Sequence, residues 1–60
     1  MPLLHVHLLA GREPALKAEL VRELTDVVHR TLDADPERIT VLLTEHGSED
    51  WSVAGRAVTR

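Results

Sequence analysis

The chain has 60 residues, no cysteine, a net charge of -3 with histidines neutral, and 43% hydrophobic residues. A chain this short forms at most one domain, spanning 1–60, and buries only about 60% of the surface its unfolded form exposes. Small domains compensate with disulfides, a structural metal or subunit association; with no cysteine the first is closed, and association becomes the leading expectation.

The Lys and Arg residues are scattered singly, so no basic stripe is available for a phosphate backbone. One Trp, with no Phe or Tyr, gives no stacking platform for single-stranded bases. No nucleic-acid partner is expected. The apolar runs fall far short of the roughly 20 residues that span a bilayer, and no charged segment precedes an apolar one as in a secretory signal. These features predict a soluble cytoplasmic protein with no membrane partner.

Leu3 to Leu9 alternates as a strand, with Leu4, Val6 and Leu8 on one face and Leu3, His5, His7 and Leu9 on the other. Both faces are mostly apolar, which suits a strand covered on both sides. Ala10-Gly11-Arg12 breaks the run, Glu13 is a mediocre cap, and Pro14 suits a first helical turn because its missing N–H costs nothing there.

From Ala15 to Leu32 the period becomes helical. Leu16, Leu20, Leu24, Val27, Val28 and Thr31 form an apolar stripe, with Lys17, Glu19, Arg22, Glu23, Asp26 and Arg30 on the remaining arc. Asp35-Pro36 closes the helix, since the residue before a proline avoids helical backbone. Ile39 to Glu45 is β-branched and alternating, and reads as a second strand. Residues 46–50 read as a polar loop, and Trp51 to Val58 as a short hairpin or arm.

Strand, helix and strand in succession make a β-α-β unit, of α+β class, with two parallel strands. One helix covers one sheet face, so the other face is expected to be covered by another subunit.

Two chemistries compete in the first seven residues. His5 and His7 point the same way along a strand and could share an ion. A third ligand is missing, however, because His29 falls opposite the helical stripe and His46 falls in the loop. The expected role of the strand histidines is therefore hydrogen bonding toward a neighbouring subunit, with no metal.

Pro2 offers the alternative. Loss of Met1 would leave a secondary amine at the start of a strand. The reference pKa of an α-amino group is about 7.7–8.0. An apolar pocket or nearby cations would lower that of a proline amine toward neutrality, where a base is effective in proton transfer.

The order and spacing of the pieces decide between the two readings. Met1-Pro2 is followed by a strand containing His7, then by Leu9-Ala10-Gly11-Arg12. A helix ends in Leu32-Asp33-Ala34, a strand ends in Leu42-Leu43-Thr44-Glu45, and Trp51-Ser52-Val53-Ala54-Gly55 closes the pattern. Over nearly its full length the chain resembles the 4-oxalocrotonate tautomerase family.

The resemblance implies a β-α-β protomer assembled as a hexamer, a trimer of dimers, acting without a cofactor on enolised 2-oxo acids such as 2-hydroxydienoates. By the same resemblance Pro2 is the base, Arg12 binds a substrate carboxylate, and Trp51 stands where the family usually has a phenylalanine that desolvates the site. The family's second substrate arginine aligns with Thr40, which carries no charge. Arg38 would face the same side if the second strand reached back to it; otherwise the second cation comes from Arg56, from a different subunit in a mixed hexamer, or from nowhere.

A site with one matched arginine suits a monocarboxylate or a neutral carbonyl compound better than a dicarboxylate. Leu9 and Val53 occupy the positions at which the related trans-3-chloroacrylate dehalogenases carry an arginine and a glutamate, which disfavours dehalogenation. His29 matches a histidine of the cis-3-chloroacrylate dehalogenase branch, but from an outward-facing position. The competing expectation is a non-catalytic subunit or binding module in which Pro2 is incidental.

Overall fold

A computed structural model describes residues 1–58 of the chain. Strand β1 (Leu3–Leu9) leads into helix α1 (Pro14–Leu32), a 3₁₀ turn at Pro36–Arg38 and strand β2 (Thr40–His46). A second 3₁₀ turn at Ser48–Asp50 then precedes two short strands, β3 (Ser52–Val53) and β4 (Arg56–Ala57).

β1 and β2 pair in parallel, in a register running from Leu3 opposite Thr40 to Leu9 opposite His46. The ladder is extended at both ends, by Thr40 N–H donating to the Pro2 carbonyl (3.0 Å) and Ala10 N–H donating to the His46 carbonyl (2.8 Å). Parallel neighbours need a long crossover, and α1 supplies it. β3 and β4 form a separate antiparallel hairpin. The expected β-α-β unit is thus present. Its second strand is displaced by one residue from Ile39–Glu45, because Ile39 N–H is taken by the Pro36 carbonyl (3.2 Å) and ends the turn instead of opening the strand.

Leu4, Val6 and Leu8 are half-buried, as are Val41 and Leu43 of β2, whereas Leu3, His5 and His7 are exposed. The half-buried helix positions are Lys17, Leu20, Val21, Leu24, Thr25 and Val28. This stripe is rotated from the one the apolar pattern predicts. Lys17 is on the covered side, where its Nζ meets Glu45 Oε1 at 2.8 Å, while Leu16 and Val27 are 56% and 45% exposed. The physical reason is that α1 carries more apolar residues than one sheet face can receive, and the surplus is left along its flank.

Among the described residues none is buried. The radius of gyration is 14.0 Å, over extents of 40 × 24 × 14 Å, against about 10 Å for a compact domain of this length. The accessible surface is 4641 Å², against about 3,900 Å² for a globular monomer of this mass. The isolated protomer therefore exposes surface that a self-sufficient domain would cover. Among the described residues no helix is long and apolar enough to cross a membrane.

The helix ends follow from local chemistry. Glu13 is the N-cap without a side-chain hydrogen bond, and Pro14 occupies the first turn as expected. At the other end Asp33 adopts left-handed backbone (φ 55°, ψ 39°), a conformation that costs an L-residue roughly 1–2 kcal/mol and glycine little. Asp35, before Pro36, is extended, and its carboxylate accepts from Glu37 N–H at 3.0 Å. Asp33→Gly is expected to raise stability by about 0.5 kcal/mol after the added unfolded-state entropy is deducted, measured as an upward shift of the thermal unfolding midpoint.

Candidate active site

The chemistry-bearing residues gather at the two ends of β1. At its start, Pro2 is half-buried and Met1 is 90% exposed. Proline is tolerated here because it precedes the first strand residue and has no N–H to offer the ladder, while its carbonyl is fixed by Thr40 N–H. Thr40 is half-buried and Arg38 exposed. The extension of β2 back to Arg38 is not observed: Arg38 lies in the 3₁₀ turn, where its N–H donates to the Asp35 carbonyl at 2.8 Å. Strand alternation therefore does not carry from Thr40 to Arg38. Arg56 lies in β4 and is exposed.

At the other end, Gly11 turns the chain out of β1 with φ 118°, a value suited to glycine alone. Arg12 follows, its Nη1 donating to the Leu9 carbonyl at 3.0 Å. A cleft of about 410 Å³ opens between His7, Leu8, Leu9, Arg12, Trp51 and Val58.

The hairpin brings Trp51 there. Val58 N–H donates to the Trp51 carbonyl at 2.8 Å, and Val53 pairs with Arg56 across a two-residue loop in which Ala54 and Gly55 both have positive φ, 56° and 80°. That is the geometry of a type I′ hairpin turn, whose twist matches the strands it joins. Arg12 and Trp51, distant in sequence, thus line one cleft.

The histidines are placed differently from expectation. His46 is the last residue of β2, paired with Leu9, and not part of a loop. Its Nε2 lies 2.8 Å from Nδ1 of His7, and the two rings stack with centroids 5.1 Å apart. His5 stands 4.2 Å from His7, centroid to centroid, and shares a 2.6 Å hydrogen bond with Thr44 Oγ1. The edge-on contact of His46 with Trp51, at 5.8 Å, joins this row to the cleft.

Among the described residues no three His, Cys, Asp or Glu side chains are arranged to hold a metal ion. His29 is exposed, and its Nδ1–H donates to the Ala34 carbonyl (2.8 Å) just beyond the helix end. The signal for His46 lay in the alternation of β2. Thr40, Leu42, Thr44 and His46 share one phase, and carrying the strand one residue further puts the imidazole beside His7.

The profile of the family described as tautomerase enzyme matches residues 2–60. The chain belongs to the 4-oxalocrotonate tautomerase family. It is 32% identical over 60 residues to a 2-hydroxymuconate tautomerase of Pseudomonas putida, covering all of this chain and 95% of the relative. Among solved structures it is similar to TomN, a 4-oxalocrotonate tautomerase homologue in the tomaymycin biosynthetic pathway, with TM-score 0.92 and 41% identity over 93% of this chain and 86% of that one. It is also similar to a heterohexamer 4-oxalocrotonate tautomerase from Chloroflexus aurantiacus, with TM-score 0.92 and 30% identity over 95% and 92% of the two chains. Members of the family thus form oligomers, mixed ones included.

The position of Trp51 depends on a turn that demands positive φ. Nothing lies within 4 Å of a Cβ placed on Gly55, so only its φ of 80° opposes substitution there. Gly55→Val is expected to weaken the hairpin by at least about 1 kcal/mol, seen as a red shift of the emission of Trp51, the single tryptophan.

Proposed function

We propose that the chain, once Met1 is removed, is the one-domain protomer of an oligomeric tautomerase that moves a proton within enolised 2-oxo acids. The amine of Pro2 takes the proton of the enol hydroxyl and returns it to a carbon of the conjugated system. The 2-oxo form results, with no net gain or loss of atoms or electrons. Arg12 holds the carboxylate, and Trp51 closes the cleft against water, so that the charge developing on the enolate is held in a medium of lower dielectric.

The observation that carries this reading is the separation of the two groups within one chain. Pro2 precedes β1 and Arg12 follows it; seven residues of strand between Pro2 and Leu9 span roughly 23 Å. A small acid cannot touch both in the same protomer. In the proposed assembly the proline of one subunit faces the Arg12 and Trp51 of another, and the surface left open by a single helix on two strands is what brings subunits together. A hexamer is the proposed state.

A second reading has its own support. Thr40 has no charge and Arg38 is held in the preceding turn, so the chain offers no cation in the Thr40 strand position. A mixed hexamer, in which a related subunit supplies that cation, accommodates this, and the Chloroflexus aurantiacus relative is a heterohexamer. In that case the chain is a partner-dependent subunit.

Intact-mass measurement of the functional protein is expected to show loss of Met1, and protein retaining it should be inactive because an acylated proline nitrogen is an amide. Sedimentation at micromolar concentration should give a species about six times the protomer mass; a folded monomer would remove the assembly and the site with it. In a ketonisation assay Pro2→Ala should lower kcat by at least about 10²-fold. Arg12→Ala should raise KM, and lower kcat as well where charge grows in the enolate. Thr40→Arg should shift preference toward dicarboxylates. Full activity from the chain alone would exclude the partner-dependent reading, and an unchanged rate in Pro2→Ala would exclude the catalytic one.

A further inference from the structure

The sheet face turned away from α1 carries Leu3, His5, His7 and Leu9 from β1 and Thr40, Leu42, Thr44 and His46 from β2, paired in that order. Its amino-terminal half is apolar, with Leu3 and Leu42 exposed. Its carboxyl-terminal half holds three of the four histidines of the chain. Parallel sheets are covered on both faces, and a protomer with no buried side chain among its described residues has this face left to cover. The occupant that fits is a second copy of this chain, which brings matching apolar surface and is in keeping with a family that forms oligomers.

The three imidazoles form a row, His5 standing 4.2 Å from His7 and His7 5.1 Å from His46, centroid to centroid. At 2.8 Å, the gap between His7 Nδ1 and His46 Nε2 has room for one hydrogen. With both rings neutral, or with one charged, an N–H on one side meets a lone pair on the other. With both charged, two N–H groups face each other and the bond is lost. His5 is bonded to Thr44 Oγ1, a hydroxyl that can donate to a neutral ring or accept from a charged one. The row therefore accommodates one positive charge and resists more, because like charges this close repel more strongly as water is removed.

The surrounding charges do not reverse this. Arg12 shares the 410 Å³ cleft with His7 and adds positive charge. Asp50 shares a cleft of about 340 Å³ with His7 and His46; it is exposed and answers one positive charge, whereas the row has three rings. From α1, on the opposite face, comes Lys17, whose partner is Glu45. Trp51, edge-on to His46, is uncharged.

We infer that the row of His5, His7 and His46 is an acid-sensitive contact between subunits, closed while at most one ring is charged and opened by further protonation. Histidine is the side chain whose charge changes between about pH 5 and 8. Loss of water and like charge both disfavour the charged form, so the assembly binds fewer protons than the freed protomers. Association is then strongest at the upper end of this range and weakens as pH falls, by about tenfold per pH unit for each proton a freed protomer takes up. The inference rests on the oligomeric part of the tautomerase reading and not on the chemistry of Pro2.

Sedimentation of the native chain between pH 8 and 5.5, above the range in which ordinary carboxylates titrate, tests it without substrate. The protein should be assembled at pH 8 and dissociate on acidification, its dissociation constant rising at least about tenfold per pH unit. The midpoint should move to lower pH when the protein concentration is raised tenfold, as mass action requires. His5→Gln and His46→Gln each keep a hydrogen-bonding amide and remove a charge. Either variant should lower the dissociation constant at pH 5.5 by about tenfold, the effect of one proton over one pH unit.

A mass that stays constant from pH 8 to 5.5, a midpoint independent of protein concentration, or a transition unchanged in both variants overturns the inference and leaves the tautomerase reading intact; titration of the terminal amine would give the last of these. A monomer at pH 8 overturns both. If acid dissociates the native protein and the variants resist it, but enols are not ketonised at pH 8, the inference stands and the tautomerase reading fails.

Discussion

The parallel pairing of β1 with β2 is the interaction on which the rest depends. Because the two strands run the same way, their amino-terminal ends lie together, with the Pro2 carbonyl on Thr40 N–H, and their carboxyl-terminal ends lie together, with His7 opposite Thr44 and Leu9 opposite His46. The segments leaving the second end carry Arg12 and Trp51 into a common cleft. An antiparallel pair would have mixed the two ends and set Thr40 beside the cleft. The parallel ladder instead separates the proposed base from the proposed binding groups by the length of a strand, so the proposed site would draw on more than one chain.

The same geometry leaves the protomer short of cover. A helix over two strands fills one side of the sheet, and the described residues include no buried side chain. Leu3 and Leu42 remain exposed on the sheet, Leu16 and Val27 on the helix, and Val53 on the hairpin. At about 25 cal/mol for each Å² of apolar surface removed from water, covering these residues is the largest stabilisation still open to the chain. In the proposed assembly the contact that supplies it also completes the site, so folding, association and activity would be lost together.

Of the two non-glycine residues with positive φ among the described residues, Asp33 ends the helix and Ala54 lies in the hairpin beside the cleft. Ala54 adopts positive φ in the hairpin turn, where Asn or Gly would sit with less cost, and this turn returns Val58 to the Trp51 carbonyl. Unfavourable backbone held in place by surrounding structure is a recurrent feature of functional regions. Here its effect is to hold an indole in the wall of the Arg12 cleft and edge-on to His46.

Much of this was legible in the sequence, because it rests on local chemistry. Alternation in Leu3–Leu9, the change to helical period after Pro14 and the Asp35-Pro36 stop give the β-α-β order without reference to tertiary contacts. The spacing of Pro2, Gly11-Arg12 and Trp51 sufficed to indicate the family. Three features were decided only by the folded chain. The helix rotates so that Lys17 reaches Glu45 and Leu16 faces outward, since the choice among several apolar arcs depends on the sheet beneath them. Arg38 is withdrawn into a turn because Pro36 draws its N–H to Asp35. His46 joins His7 because strand register, which no local pattern specifies to the residue, continues one step beyond Glu45.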